Sequence, residues 1–128
     1  MADALFDTTV FIDYYRGDAG ARSLLESVIG GTITASYSAL TAFELWMGIS
    51  SREEEIDYVA IMEFLEEAAL SGSMARTAAG SLRGLSPGRA EALFRDALIA
   101  ATAAERGETI YTRNVRDFKR LYPNVQSY

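Results

Sequence analysis

The sequence predicts an α/β protein, a three-layer α/β/α sandwich around a short, mainly parallel sheet. Short apolar or β-branched runs alternate with longer stretches of helical periodicity, an order that calls for crossover connections and a sheet covered on both faces. The breaks fall at Gly17, Gly30-Gly31, Ser86-Pro87-Gly88 and Gly107, residues that end helices or turn the chain. With 128 residues, 49% of them hydrophobic, no repeat and only two prolines, the chain has material for one core and nothing that divides it. One domain over 1–128 is expected.

The elements follow in order. Ala4-Leu5-Phe6 reads as a strand that stops at Asp7-Thr8-Thr9, and Val10, Phe11 and Tyr14 then recur at helical spacing up to Arg16. A second helix is expected from about Ala19 to Val28, and Thr32 to Ala35 has the alternation and branching of a strand. A third helix should begin near Ser38 or Thr41. Arg52 to Ala69 reads as an amphipathic helix with Ile56, Val59, Ala60 and Phe64 facing inward, Ile61 a further candidate, and a short strand at its far end. Met74 to Leu85 and Arg89 to Arg106 are expected as helices, Thr109 to Thr112 as a strand, Val115 to Leu121 as a short helix and Val125 to Ser127 as an edge strand.

Composition removes whole classes of chemistry. The chain has no cysteine and no histidine, which excludes thiolate sites, catalytic triads built on imidazole and ordinary zinc hydrolase sites. Hydrolysis must rest on carboxylates, hydroxyls, the single Lys119, or a cation held by oxygen, which points to Mg²⁺ or Mn²⁺. No apolar run approaches the roughly 20 residues that span a bilayer, and the first residues lack the pattern of a secretion signal, so a cytoplasmic location is expected. The net charge of -6 opposes bulk attraction to nucleic acid, yet Arg113, Arg116, Lys119 and Arg120 are opposed locally only by Asp117.

In an open parallel sheet, ligands bind beyond the carboxyl ends of the strands, which selects four acids. Asp7 directly follows the first strand, where it is equally suited to cap the next helix. Glu44 is three residues after Thr41, the spacing of a capping box, but it lies in the apolar stretch Leu40 to Met47. Asp96 is flanked at helical spacing by Ala92, Leu93, Ile99 and Ala100, so it shares a buried stripe and needs a cation, a donor network or a metal. Asp117 follows the last long strand and also suits the first turn of a helix. Asp13 reads as solvated or supporting, and the acids from Glu53 to Asp57 as a wet face. Core packing is the expected explanation of Phe43, Trp46, Met47 and Tyr58, with an interaction face as the alternative.

Leu5 to Asp13, Ser38 to Leu45 followed by Gly48-Ile49, Asp96 to Ala103 and Tyr111 to Phe118 together resemble the PIN-domain family, specifically its VapC-like ribonuclease toxins. The resemblance implies a PIN-like fold and a catalytic, metal-binding quartet of Asp7, Glu44, Asp96 and Asp117, supported by Thr8, Thr112 and Asn114. It implies endonuclease cleavage of RNA with Mg²⁺ or Mn²⁺, phosphate contacts from Arg113, Arg116 and Lys119, a homodimer, and a cognate antitoxin in a groove beside the site. Two positions depart from the family pattern. Phe94 stands where relatives often carry another acid, and Arg95 replaces the usual small residue before Asp96, which favours one metal over two. A catalytically silent PIN-like binding module is the alternative. A receiver-type signalling domain would need a lysine that ends a strand, and an aspartate-nucleophile phosphatase would need an acid at Thr9.

Overall fold

The computed structural model describes residues 2–128. Its elements, in chain order, are β1 (Ala4–Phe6), α1 (Thr8–Tyr15), α2 (Ala19–Ile29), β2 (Ala35–Ser38), α3 (Ala39–Met47) and α4 (Arg52–Met62). There follow β3 (Glu66–Ala68), α5 (Gly72–Leu82), α6 (Pro87–Arg106), β4 (Thr109–Tyr111), α7 (Val115–Lys119) and β5 (Val125–Gln126). The five strands form one sheet in the order β3-β2-β1-β4-β5, and every pairing is parallel. The expected α/β sandwich is therefore what forms.

Period-two alternation in β1 divides the two sides of the core. Ala4 and Phe6 join Val10, Phe11, Leu25 and Tyr37 on one face, whereas Leu5 joins Ile99, Ala103, Ile110 and Phe118 on the other. A smaller cluster of Met74, Ala78, Ala97 and Ala101 fastens α5 to α6. Gly107, at φ 69°, ends α6 in the left-handed conformation that glycine adopts without a Cβ clash.

The structure moves two elements. The second strand is Ala35–Ser38, not Thr32 to Ala35, because its register with Ala4 and Leu5 begins at Ala35 and the preceding residues make the turn. The helix from Arg52 stops at Met62, and it buries Tyr58, Ile61 and Met62. Ile56, Val59, Ala60 and Phe64, expected inside, are exposed.

Strand order reverses between β1 and β4, because β1 pairs with β2 on one side and with β4 on the other. The crevice at their carboxyl ends is where such a sheet receives ligands.

Candidate active site

Helix capping shows which polar groups have been diverted from ordinary work. Asp18, Ser38, Ser51, Ser71 and Ser86 each accept a backbone N–H at the start of their helices. Asp7 at the head of α1 and Asn114 at the head of α7 make no side-chain cap. Both stand at the β1/β4 crevice.

Asp7 is buried, at 5% exposure, and the side chains that hold it are hydroxyls. Thr112, just past β4, donates to Asp7 Oδ2 at 2.8 Å, and Thr9 donates to the same oxygen at 3.0 Å. The directions of both bonds are fixed from behind. The Asn114 N–H donates to Thr112 Oγ1 at 2.9 Å and the Arg113 N–H donates to Thr9 Oγ1 at 3.1 Å, so each hydroxyl spends its proton on the carboxylate. No side chain among the described residues donates to Asp7 Oδ1. Burial raises the Asp7 pKa, against the opposing pull of the Thr112 and Thr9 hydroxyls and the Thr8 and Thr9 amides.

Glu44 approaches from α3. Ser38, not Thr41, caps that helix, accepting from the Thr41 N–H at 3.1 Å, so the alternative reading of Glu44 as part of a capping box does not hold and its carboxylate turns inward. Thr8 Oγ1 donates to Glu44 Oε1 at 2.8 Å and lies 3.1 Å from Thr41 Oγ1. The other Glu44 oxygen, Oε2, is taken by the Arg95 guanidinium.

Asp96 stands half-buried on α6, with Ile99 and Ala100 buried beside it and Ala92 exposed toward the helix start. It is thus at the rim of the buried stripe and not in its middle. Its pKa is pushed up to about 6, by burial first and then by the charges of Asp7, Asp117 and Glu44, with Arg95 opposing. Asp117 itself is exposed in the first turn of α7, and Asn114 contributes its backbone amide to the Thr112 hydroxyl.

The fully buried Glu108, at the amino end of β4, shows how this fold treats a structural carboxylate. Arg106 Nε donates to it at 2.8 Å and Ser36 Oγ at 2.9 Å. Asp7 has hydroxyls and no cation, and Asp96 has three anionic neighbours. Hard oxygen donors with unbalanced negative charge fit a hard divalent cation. Asp7, Asp96, Asp117 and Glu44 are the groups that would hold it, although as they stand no three acids among the described residues are gathered tightly enough to grip one ion.

A profile of the PIN domain matches residues 4–123. The chain belongs to the PIN-domain family. It is 32% identical to ribonuclease VapC19 of Mycobacterium tuberculosis over 128 residues, covering 95% of this chain and 96% of the relative, which places it among the VapC-like PIN proteins. It superposes with TM-score 0.76 and 25% identity on a chain of a toxin–antitoxin complex from Klebsiella pneumoniae, covering 96% of this chain and 95% of that one. A chain of the DNA-bound VapBC from Salmonella typhimurium, 19% identical, shares the fold with TM-score 0.77, covering 100% of this chain and 98% of that one.

This PIN domain also gives bonding roles to residues that the sequence did not place in the site. Thr9 and Thr41 join the hydroxyl network, and only the Thr8-Thr9 pair directly after a strand end hinted at it. Asp13 accepts two bonds from the Arg113 guanidinium, at 3.0 and 2.8 Å, and one from Tyr128 Oη at 2.5 Å. Burial raises the Asp13 pKa, but the bonds from Arg113 and Tyr128 outweigh it and leave the carboxyl below its ordinary value. Arg113, expected to meet RNA phosphate, makes this pair with a side chain that stays half exposed. Arg116 and Lys119 are exposed and form no ion pair among the described residues.

Proposed function

We propose that this chain is a divalent-metal-dependent endoribonuclease and the toxin of a toxin–antitoxin pair. The observation that carries the proposal is the Asp7 carboxylate, buried at the carboxyl ends of β1 and β4 with Thr112 and Thr9 donating to Oδ2 and no side chain among the described residues donating to Oδ1. Membership of the PIN-domain family and the likeness to ribonuclease VapC19 support it.

A bound Mg²⁺ or Mn²⁺ supplies Lewis-acid polarisation of the phosphodiester and activation of the attacking water. The chain's own residues prepare that chemistry. Thr9 and Thr112 fix Asp7 in one orientation with Oδ2 satisfied, which leaves Oδ1 for a cation. Thr8 fixes Glu44 in the same way. Asp96 and Asp117 add the remaining negative charge from α6 and α7, with Asn114 bracing Thr112 behind them. Arg116 and Lys119, exposed on α7 and unpaired among the described residues, are the cations offered to RNA phosphate.

The antitoxin and a homodimer are proposed for the apolar side of α3 and α4. Phe43 and Met47 are exposed at 61% and 71%, so core packing does not explain them, whereas Tyr58 is buried. Phe43, Trp46 and Val59 line an open groove of about 580 Å³. No helix among the described residues is long and apolar enough to cross a membrane.

Cleavage of RNA by the purified protein with Mn²⁺, with EDTA and Asp96→Asn as controls, tests the reading. Activity that survives either control defeats it. The second reading, a catalytically silent binding module, is favoured by one observation, the Arg95 cation already seated on Glu44. Absence of any Mn²⁺ binding is its signature.

A further inference from the structure

Arg95 stands beside an acidic cluster that otherwise lacks a cation, and it does two things there. Its guanidinium pairs with Glu44 Oε2, and its charge opposes the repulsion that Asp96 receives from Asp7, Asp117 and Glu44. The two partners are unequally anchored. Glu44 has 16% side-chain exposure and a second bond from Thr8, whereas the Arg95 side chain is 55% exposed and has no other bond among the described residues. Such a pair opens by movement of the arginine, whose long side chain regains rotamer freedom in water. It leaves the carboxylate in place.

We propose that Arg95 is the resident counter-cation of the active site, seated on Glu44 until a divalent ion displaces it. The inference rests on the metal-dependent reading above and adds its regulation: loading the site with metal is an exchange of cations at Glu44. A guanidinium donates through planar N–H groups and cannot polarise water as a metal does, so the arginine-seated state is inactive. Because Arg95 is one residue from Asp96 on the same helix, its charge also repels an incoming ion even when the side chain has swung away.

The test is calorimetric titration of Mn²⁺ into the full chain without RNA, comparing wild type with Arg95→Ala, Arg95→Gln, Arg95→Lys and Asp96→Asn. Arg95→Ala and Arg95→Gln should bind Mn²⁺ on the order of fivefold tighter than wild type, the gain expected from losing a half-exposed ion pair that competes with the ligand. Arg95→Lys keeps the charge and should stay near wild type. In EDTA the two neutral variants should melt below wild type, and saturating Mn²⁺ should raise their melting temperature by more. Unchanged or weaker Mn²⁺ binding in both neutral variants overturns the proposal. If wild type binds Mn²⁺ in an Asp96-dependent way and the Arg95 variants do not differ, only the exchange falls. If wild type binds no Mn²⁺, the ribonuclease reading falls with it.

Discussion

Thr112 Oγ1 donates to Asp7 Oδ2 at 2.8 Å, joining the carboxyl ends of two neighbouring parallel strands. The bond spans 105 positions in the sequence and orients the most buried acid of the site. Thr112→Val keeps the shape and removes the donor. Asp7 then has one hydroxyl where it had two, at a cost of about 1–3 kcal/mol in urea unfolding. Divalent-ion affinity should fall about 10- to 100-fold, as it does when a ligand's supporting bond is lost. Thr112→Ser should restore most of both, and a valine variant with unchanged metal affinity would separate Thr112 from the site.

Asp96 predicts an inverted pH dependence. Its pKa in the fold, about 6, lies above the ordinary 3.8, so the ionised form is disfavoured in the folded state relative to the unfolded chain. This penalty is absent at low pH, where Asp96 is protonated in both states, and is complete above the folded pKa. Without metal, the Asp96 contribution should therefore make the protein more stable near pH 5 than near pH 7.5, and Asp96→Asn should flatten that difference. At neutral pH the same substitution should stabilise the metal-free protein by on the order of 1 kcal/mol after solvent screening, while abolishing cleavage. Melting curves in EDTA across pH measure both; a wild type that loses stability steadily from pH 7.5 to 5 with no Asp96 dependence contradicts the geometry.

Glu108 supplies the contrasting case. Glu108→Gln leaves the Arg106 guanidinium, at 15% side-chain exposure, without its buried anion and with only the exposed Glu66 at 3.0 Å. Breaking such a pair from one side costs about 3–5 kcal/mol. RNA cleavage per folded molecule should not change, because Glu108 is at the amino end of β4 and the acidic cluster at the carboxyl end. Parallel assays of chemical denaturation and of cleavage at low temperature distinguish the two effects.

The site was more legible in sequence than the surface around it. Asp7, Glu44, Asp96 and Asp117 stand out as the proposed site because each follows a strand or sits in an apolar helical context and the family resemblance picks out the same four. Arg95 was visible as a residue but not as a partner of Glu44, since a contact across 51 positions depends on how α3 meets α6. The strands gave weak signals because they are two to four residues long, too short for alternation to register. In and just after α4, Tyr58, Ile61 and Met62 compete with Ile56, Val59 and Phe64 for the inward face, and only the position of the sheet decides between them.

That second stripe leads to the last prediction. Apolar side chains on α3 and α4 that the core does not use should contribute little to folding and much to association. Phe43→Ser with Met47→Asp should leave the melting temperature and Mn²⁺-dependent cleavage close to wild type, since both side chains are more than half exposed. The pair should weaken self-association and binding of the proposed antitoxin by about tenfold or more, the loss expected for an apolar anchor removed from an interface centre. Sedimentation of the free chain and inhibition of cleavage by the partner read the two associations separately. If the substitutions lower the melting temperature sharply and spare both, the stripe belongs to the core after all.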